Sequence, residues 1–177
     1  MTMLPGGPVD AFLTVISKQD TRKYRDEPIP DEVVQRILQA GRVSGNAMNH
    51  QHRRFVVLEP ATRKRASRFV TRPPNLEGSS LAIAIIVTEG TWDAFDAGRA
   101  AQNMMLAAWA EGVASCPNAM ADQEGMNELL GATGSERAVT VISFGYPISR
   151  RTPESRSESE WLERLDRIGL DEITSKV

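Results

Sequence analysis

The sequence predicts a small α/β or α+β sandwich, and three observations support this. Residues 81–88 (LAIAIIVT) form a β-branched and nearly continuous apolar run, which is typical of a central strand buried on both faces. Residues 138–144 (AVTVISF) form a second run of this kind. Helical patterns lie between and around the runs, so the strands are distant in sequence and meet only in the folded sheet. At 177 residues we expect a single domain over 1–177, with residues 1–8 as a flexible N-terminus.

The part of the chain before residue 81 shows helical spacing of apolar residues, interrupted by proline, glycine and amide residues. Asp31 suits the start of a helix, and Gly41 lies near the end of the same helix. In chain order we predict helices over 9–19 and 31–41, a loop over 45–51, a strand over 55–58, a basic helix over 61–69 and a loop over 72–80 (RPPNLEGSS).

The part after residue 88 contains the longest helical pattern and the second central strand. The pattern at 91–112 has no proline and is built mostly from strong helix formers. We predict, in chain order, a helix over 91–112, a turn at 116–120 (CPNAM), a helix over 123–130, a strand over 138–144 and a C-terminal helix and tail over 157–177, the helix ending near 167.

The 91–112 helix predicts self-association. It carries no charge from Met104 to Ala110, so this half is expected to be buried on all sides. Many of its residues are alanine, and Gly98 destabilises a helix interior by roughly 1 kcal/mol relative to alanine. We therefore expect something to pack close to Gly98, and we predict that this helix is central to a homodimer.

Composition excludes several classes of protein. The net charge of −2 offers no basis for binding nucleic acid or an anionic membrane. The longest apolar run is too short to span a bilayer, and no signal peptide is recognisable at the N-terminus. Cys116 is the only cysteine, so no intrachain disulfide forms, and we expect a cytoplasmic protein.

Single motifs carry little functional information. His50 and His52 form a His-x-His pair, but no carboxylate lies near them in sequence, so we predict no metal site. Cys116 is more typical of a buried, inert cysteine than of a reactive thiolate. The basic run from Arg63 to Arg72 is typical of a solvated helix face.

Four segments, taken together in their order along the chain, carry more functional information than any one of them alone. They are residues 18–22 (KQDTR), residues 45–51 (GNAMNHQ), residues 96–112 (beginning DAGRAAQNMM), and residues 144–147 (FGYP) followed by 150–153 (RRTP). Over nearly its whole length the chain resembles the flavin-dependent nitroreductases. This resemblance implies an α+β sandwich with a central mixed sheet flanked by helices. It also implies an intertwined homodimer that holds one FMN at each end of its interface.

The resemblance also implies which residues hold the flavin. A phosphate dianion is held by guanidinium and ammonium groups, which the first and last segments supply. The loop at 45–51 is expected to lie against the flavin of the second subunit, and the turn at 117–119 to cover one face of the ring, with a backbone amide near Ala119 donating to the reactive nitrogen. The expected cofactor-binding residues are Lys18, Asp20, Arg22, Gly45, Asn46, Ala47, Asn49, Pro117, Asn118, Ala119, Arg150 and Arg151.

Simpler roles remain open for two of these positions. Lys18 and Arg22 would also cap the C-terminus of the first helix. Asn49 would also hydrogen-bond the backbone of its own turn.

The chain departs from the family pattern at three places. Asp20 stands where a small hydroxyl residue is usual, Asn46 replaces a serine, and His52-Arg53 places two cations at the expected pocket mouth. A carboxylate beside a phosphate is repulsive unless a cation neutralises it. We predict that Asp20 pairs with Arg22 or Arg151, and on that basis that Asp20→Ser loosens FMN.

The function implied by the resemblance is an FMN-dependent oxidoreductase that takes hydride from NAD(P)H. It would reduce a nitroaromatic, quinone-like or other small conjugated aromatic acceptor, with no catalytic side chain because the flavin carries the chemistry. Two alternatives remain: a dimeric flavin-binding protein without turnover, and a deazaflavin-dependent member of the same fold.

Overall fold

The computed structural model describes residues 10–90, 92–149 and 151–177. Its centre is a four-stranded sheet in the order β1-β2-β4-β3. The two apolar runs predicted as central strands are confirmed, as β2 and β4. The strands are β1 Arg53–Val57, β2 Leu81–Thr88, β3 Ala114–Asn118 and β4 Glu136–Gly145.

The α+β class is confirmed, but the mixed sheet is corrected, because all three strand pairings are antiparallel. Among the described residues, the one parallel pairing outside these strands is an isolated bridge between Asp20 and Ser115. An apolar run shows that both faces of a strand are covered, and it carries no information about strand direction.

Helices cover both faces of the sheet. On β2, Ile83 and Ile85 face a cluster formed with α2 and α5, whereas Ala84 and Ile86 face a cluster formed with α3, α4 and α6. The helices are α1 Ala11–Ser17, α2 Asp31–Arg42, α3 Pro60–Ala66, α4 Pro73–Glu77, α5 Asp93–Ala110, α6 Gln123–Leu129, α7 Glu158–Glu163 and α8 Leu170–Ile173.

Two predictions of irregular structure were wrong. The predicted loop at 72–80 contains α4, because Pro73 and Pro74 occupy the first helical turn, where a missing N–H costs nothing. The predicted turn at 116–120 belongs mostly to β3, where Pro117 is tolerated because β3 is an edge strand. The C-terminal helix ends at Glu163 rather than near residue 167.

α5 is more exposed in the single chain than predicted. Ala110 is exposed, Leu106 is half-buried, and Phe95 is 62% exposed. Apart from the adjacent residues and the backbone of α5 itself, no described atom lies within 4 Å of the point where a Cβ would stand on Gly98. Close packing at Gly98 is therefore not made within the chain. The homodimer remains a prediction. None of the described helices combines the length and the hydrophobicity that a membrane-spanning helix requires.

Candidate functional site

An extended segment after α1 runs along the outer edge of β3. Asp20 pairs with Ser115, and the backbone N–H of Thr21 donates to the carbonyl of Ser115 at 3.0 Å. Further on, the backbone N–H of Arg25 donates to the carbonyl of Tyr146 at 2.8 Å. In an extended segment, alternate side chains point to opposite sides. Segment 18–24 therefore divides its polar residues between two places.

One place is a hollow of about 320 Å³, which we call the arginine hollow. It brings Arg22, which was expected at the phosphate, together with residues 117–119, which were expected to cover the flavin ring. Its two further charged or amide residues, Arg72 and Asn75, were missed because residues 72–80 were predicted as a loop. A proline pair at a helix N-terminus was the signal that could have placed them. The lining residues are Arg22, Thr71, Arg72, Asn75, Pro117, Asn118 and Ala119.

The wall formed by residues 117–119 is fixed by a buried amide. The side-chain nitrogen of Asn118 donates to the carbonyls of Val141 at 2.9 Å and Cys116 at 3.1 Å, and its oxygen accepts from Asn75 at 3.0 Å. The backbone N–H of Thr71 donates to the carbonyl of Ala119 at 3.0 Å. The Asn118 side chain is therefore committed to protein partners, and it shapes the hollow from within.

The other place is a hollow of about 350 Å³ on the far side of the segment, which we call the tryptophan hollow. Arg151 lines it, with its Nη1 3.4 Å from the side-chain oxygen of Gln19. The predicted pair of Arg22 and Arg151 therefore lines two different hollows. Arg150 lies outside the described residues. The polar lining is Ser17, Gln19, Thr21, Lys23, Ser149 and Arg151, and Trp109 and Trp161 contribute the large apolar surfaces.

Asp20 is paired, but with a different cation from the one predicted. The ammonium of Lys18 lies 2.5 Å from its Oδ1, and the predicted partners Arg22 and Arg151 are wrong. The Lys18 side chain is only 8% exposed and also points its ammonium at the sulfur of Met105, at 3.4 Å. A nearly buried ammonium requires a partner, and Asp20 is the nearest acid along the chain.

Cys116 lies behind these charges and is 1% exposed. Burial raises the pKa of its thiol, the Asp20 carboxylate raises it further, and Arg22 and Lys18 act in the opposite direction. The thiol is therefore protonated at neutral pH, as expected for an inert buried cysteine.

The loop at 45–51 lies elsewhere, at the N-terminal end of α5. The backbone N–H of Ala47 donates to Asp96 in the first turn of that helix, at 3.0 Å. Asp96 and Met105, the neighbour of Lys18, are nine residues apart, or about 14 Å at the ~1.5 Å rise per residue of a helix. Within one chain, the loop carrying Asn49 does not reach the Lys18 segment.

The loop takes an unusual backbone path. Met48, Asn49 and Gln51 have φ values of 47°, 56° and 51°, in the left-handed region that non-glycine residues rarely adopt. The side chain of Asn46 accepts from the backbone N–H of Gln51 at 2.9 Å, so it serves the loop itself. Asn49 is exposed.

His52 and Arg53, predicted as two cations beside the pocket mouth, contact groups of their own chain. The imidazole Nε2 of His52 lies 3.7 Å from Asp96, and Arg53 donates to the carbonyl of Ser44 at 2.6 Å and to its hydroxyl at 2.9 Å. His52 also lines a hollow of about 410 Å³ together with Ala47, Met48 and His50. No group of three or more His, Cys, Asp or Glu residues in the described part of the chain is placed to hold a metal ion.

Comparison with known proteins identifies the family of this chain. The model of the Nitroreductase family matches residues 15–80 and 87–146. An Archaeoglobus fulgidus protein, provisionally named NADH dehydrogenase/NAD(P)H nitroreductase, is 27% identical over 170 residues, which cover 90% of this chain and 93% of that protein.

Solved structures share the fold. A protein from Parabacteroides distasonis, provisionally named in the same way, superposes with a TM-score of 0.75 at 19% identity, covering 90% of this chain and 98% of its own. An FMN-dependent nitroreductase from Clostridium difficile superposes with a TM-score of 0.72 at 24% identity, covering 85% and 92%.

Proposed function

This chain belongs to the nitroreductase family, and from that premise we propose that it is an FMN-dependent oxidoreductase. It takes hydride from NAD(P)H and reduces a nitroaromatic, quinone-like or other flat conjugated acceptor. A reducing cytoplasm suits its single free and buried thiol, Cys116.

The observation that carries this proposal is the arginine hollow. Two guanidinium groups, Arg22 and Arg72, line it together with the apolar ring of Pro117 and the backbone of Ala119. A flat, electron-accepting ring is matched by this combination of an apolar wall and positive charge. FMN, when bound, supplies the redox chemistry, and the chain supplies binding and electrostatics.

The residues of the chain divide the work as follows. Arg22 and Arg72 would stabilise the negative charge of a reduced ring, and the backbone N–H near Ala119 would donate to its reactive nitrogen. Arg151, with Lys23 and the hydroxyls of Thr21 and Ser149 beside it in the tryptophan hollow, suits the phosphate.

The site requires a second copy of the chain. In one chain the loop at 45–51 is separated from the Lys18 segment along α5, so only a partner can bring its Asn49 to the same flavin. The exposed side of α5, with Phe95 and Gly98, is left for that partner. We therefore propose a homodimer in which each flavin contacts both subunits.

The test is spectroscopic and then kinetic. The purified protein, titrated with FMN, should show bound flavin in the visible range, and NADH or NADPH should bleach it under anaerobic conditions. Addition of a nitroaromatic or a quinone should then restore the oxidised spectrum. Failure to bind FMN at micromolar concentration would contradict the proposal.

One observation favours a second candidate function, a dimeric flavin-binding protein without turnover. The Lys18 ammonium, expected near the phosphate, is neutralised by Asp20 at 2.5 Å. An altered phosphate contact of this kind would hold FMN in a site that no longer supports turnover. Protein that binds FMN but oxidises neither NADH nor NADPH would support this second candidate.

A further inference from the structure

The carboxylate of Asp96 is a buried group for which the proposed chemistry has no use. It lies in the first turn of α5, beneath the connection between α2 and β1, and its side chain is 2% exposed. Its Oδ2 accepts from the backbone N–H of Ala47 at 3.0 Å. This hydrogen bond joins the loop at 45–51 to the central helix across 49 positions of sequence.

Three cationic or ionisable side chains surround this carboxylate. His52 Nε2 lies 3.7 Å from Oδ2, and Arg99 Nη1 lies 3.8 Å from Oδ1. Burial lowers the pKa of Arg53, and Asp96 is the charge that opposes this effect. His52 Nε2 and Arg53 Nη1 are buried and find no hydrogen-bond partner among the described residues. Asp96 is therefore the acid that compensates the positive charge under the loop.

The loop is tied down at three points. Arg53 holds Ser44 at its start, Asp96 holds Ala47 in its middle, and the side chain of Asn46 holds the backbone of Gln51 near its end. At Gly45 a Cβ would stand 2.2 Å from Arg99 Nη2, so the absence of a side chain lets the guanidinium lie against the loop.

The loop needs these restraints because its conformation is unfavourable. Met48, Asn49 and Gln51 all have positive φ, and non-glycine residues keep such angles only where their surroundings fix them. Of the three restraints, the bond from Ala47 to Asp96 is the one that fixes the loop to α5, immediately before the first left-handed residue.

We propose that Asp96 is the positioning residue that presents Asn49 to the flavin bound by the partner subunit. This inference rests on the proposed function. Asp96 does not touch the flavin, and it acts through the backbone of Ala47.

The experiment compares three variants by amide hydrogen exchange of the full-length protein without FMN, and then by FMN titration. Asp96→Ala removes the acceptor, whereas Asp96→Asn keeps an acceptor oxygen of the same size. Asp93→Asn is the matched control, because Asp93 lies in the same helical turn but pairs with Arg137 at 2.9 Å rather than with the loop.

In Asp96→Ala we expect exchange in the 44–52 region to accelerate about tenfold or more, while β2 and β4 keep their protection. FMN affinity should fall by roughly tenfold, the loss of one hydrogen-bonded restraint. Asp96→Asn should retain more of both properties than Asp96→Ala, because it keeps the acceptor for Ala47 and loses only the charge that faces Arg53 and Arg99. Asp93→Asn should match the wild type in the loop.

Loop exchange that is unchanged in Asp96→Ala would overturn the inference, as would a loss in Asp96→Asn equal to that in Asp96→Ala. Faster loop exchange with unaltered FMN affinity in Asp96→Ala would also overturn it. Wild-type protein that binds no FMN would instead contradict the proposed function, and the exchange comparison would still show whether Asp96 holds the loop.

Discussion

The ammonium of Lys18 and the carboxylate of Asp20 lie 2.5 Å apart, with the lysine almost buried and the aspartate 40% exposed. Asp20, the acid that distinguishes this chain from its family at the first motif, is therefore neutralised by a lysine two residues earlier. The predicted partners, Arg22 and Arg151, do not neutralise it.

This pairing changes the expected effect of Asp20→Ser. The prediction that serine loosens FMN assumed that Asp20 orients an arginine, and the structure removes that reason. Serine should remove a negative charge that repels the FMN dianion, and it should tighten FMN by about fivefold to tenfold, roughly 1 kcal/mol for partly exposed charges. Titration of FMN into both proteins measures this. Asp26→Ser, which removes an exposed acid nearby, should have no effect, and weaker binding by Asp20→Ser would restore the original prediction.

Arg22 and Arg151 line different hollows, so their alanine variants should differ in the ligand that they lose. Each loss of a charge-assisted contact is expected to weaken FMN by ten- to a hundredfold, about 1.5–3 kcal/mol. Arg151→Ala should weaken FMN but leave riboflavin, which lacks the phosphate, unaffected. Arg22→Ala should weaken both ligands. Both variants are titrated with FMN and with riboflavin. If they lost the same ligands, the assignment of Arg151 to the phosphate and of Arg22 to the ring would be wrong.

Gly98→Leu should act on association and not on the fold of the chain. Space is open around Gly98 in the single chain, and a leucine there meets only the proposed partner. Sedimentation should show a dimer for the wild type at micromolar concentration and a monomer for the variant, with helical content retained. Glu128→Leu, on the exposed face of α6, is the control and should stay dimeric. A stable wild-type monomer would contradict the dimer.

Glu136 should contribute stability that depends on pH. Hydrogen bonds from Arg54, at 2.9 Å and 3.0 Å, lower its pKa from 4.5 to about 2, with a further contribution from the backbone N–H of Thr133. A carboxyl whose folded pKa is depressed stabilises the protein above its unfolded pKa, and this is lost as pH falls from about 4.5 to about 2. Glu136→Gln should therefore be less stable than the wild type at pH 7 and equal to it near pH 2.

Urea unfolding of both proteins across this range measures the difference. Introducing Arg54→Gln into the wild type and into Glu136→Gln should remove most of the difference in stability between them, because the partner that lowers the pKa of Glu136 is then absent. A difference that does not change with pH would contradict the assignment.

The sequence predicted the parts of the fold that depend on composition alone. β2 and β4 were identified from their apolar runs, and α5 from its unbroken helical residues. Strand direction was not predictable, because helices cover both faces of the sheet and remove the alternation that marks most antiparallel strands. α4 and β3 were missed because Pro73, Pro74 and Pro117 read locally as breakers, whereas their positions in a first helical turn and an edge strand make them tolerable.

The candidate site was predicted unevenly for a related reason. Arg22 and residues 117–119, which the motifs assign to one flavin site, do line one hollow. Arg72 and Asn75 join them only through α4, and the choice of Lys18 as the partner of Asp20 depends on the burial of the lysine against α5. Both are properties of tertiary packing, which single motifs do not contain.

The strand order β1-β2-β4-β3 also affects how the protein folds during its synthesis on the ribosome. β2 is the most apolar segment of the chain, and its inner neighbour β4 ends 57 positions after it, at Gly145. At about 5–20 residues per second, synthesis leaves this strand half-paired for on the order of 3–11 s. During that interval LAIAIIV offers an uncharged, β-prone edge of the kind that aggregates. Slow translation of residues 89–145, or a shortage of chaperones during that interval, should therefore reduce the yield of soluble protein. This loss is expected even when the stability of the folded protein is unchanged.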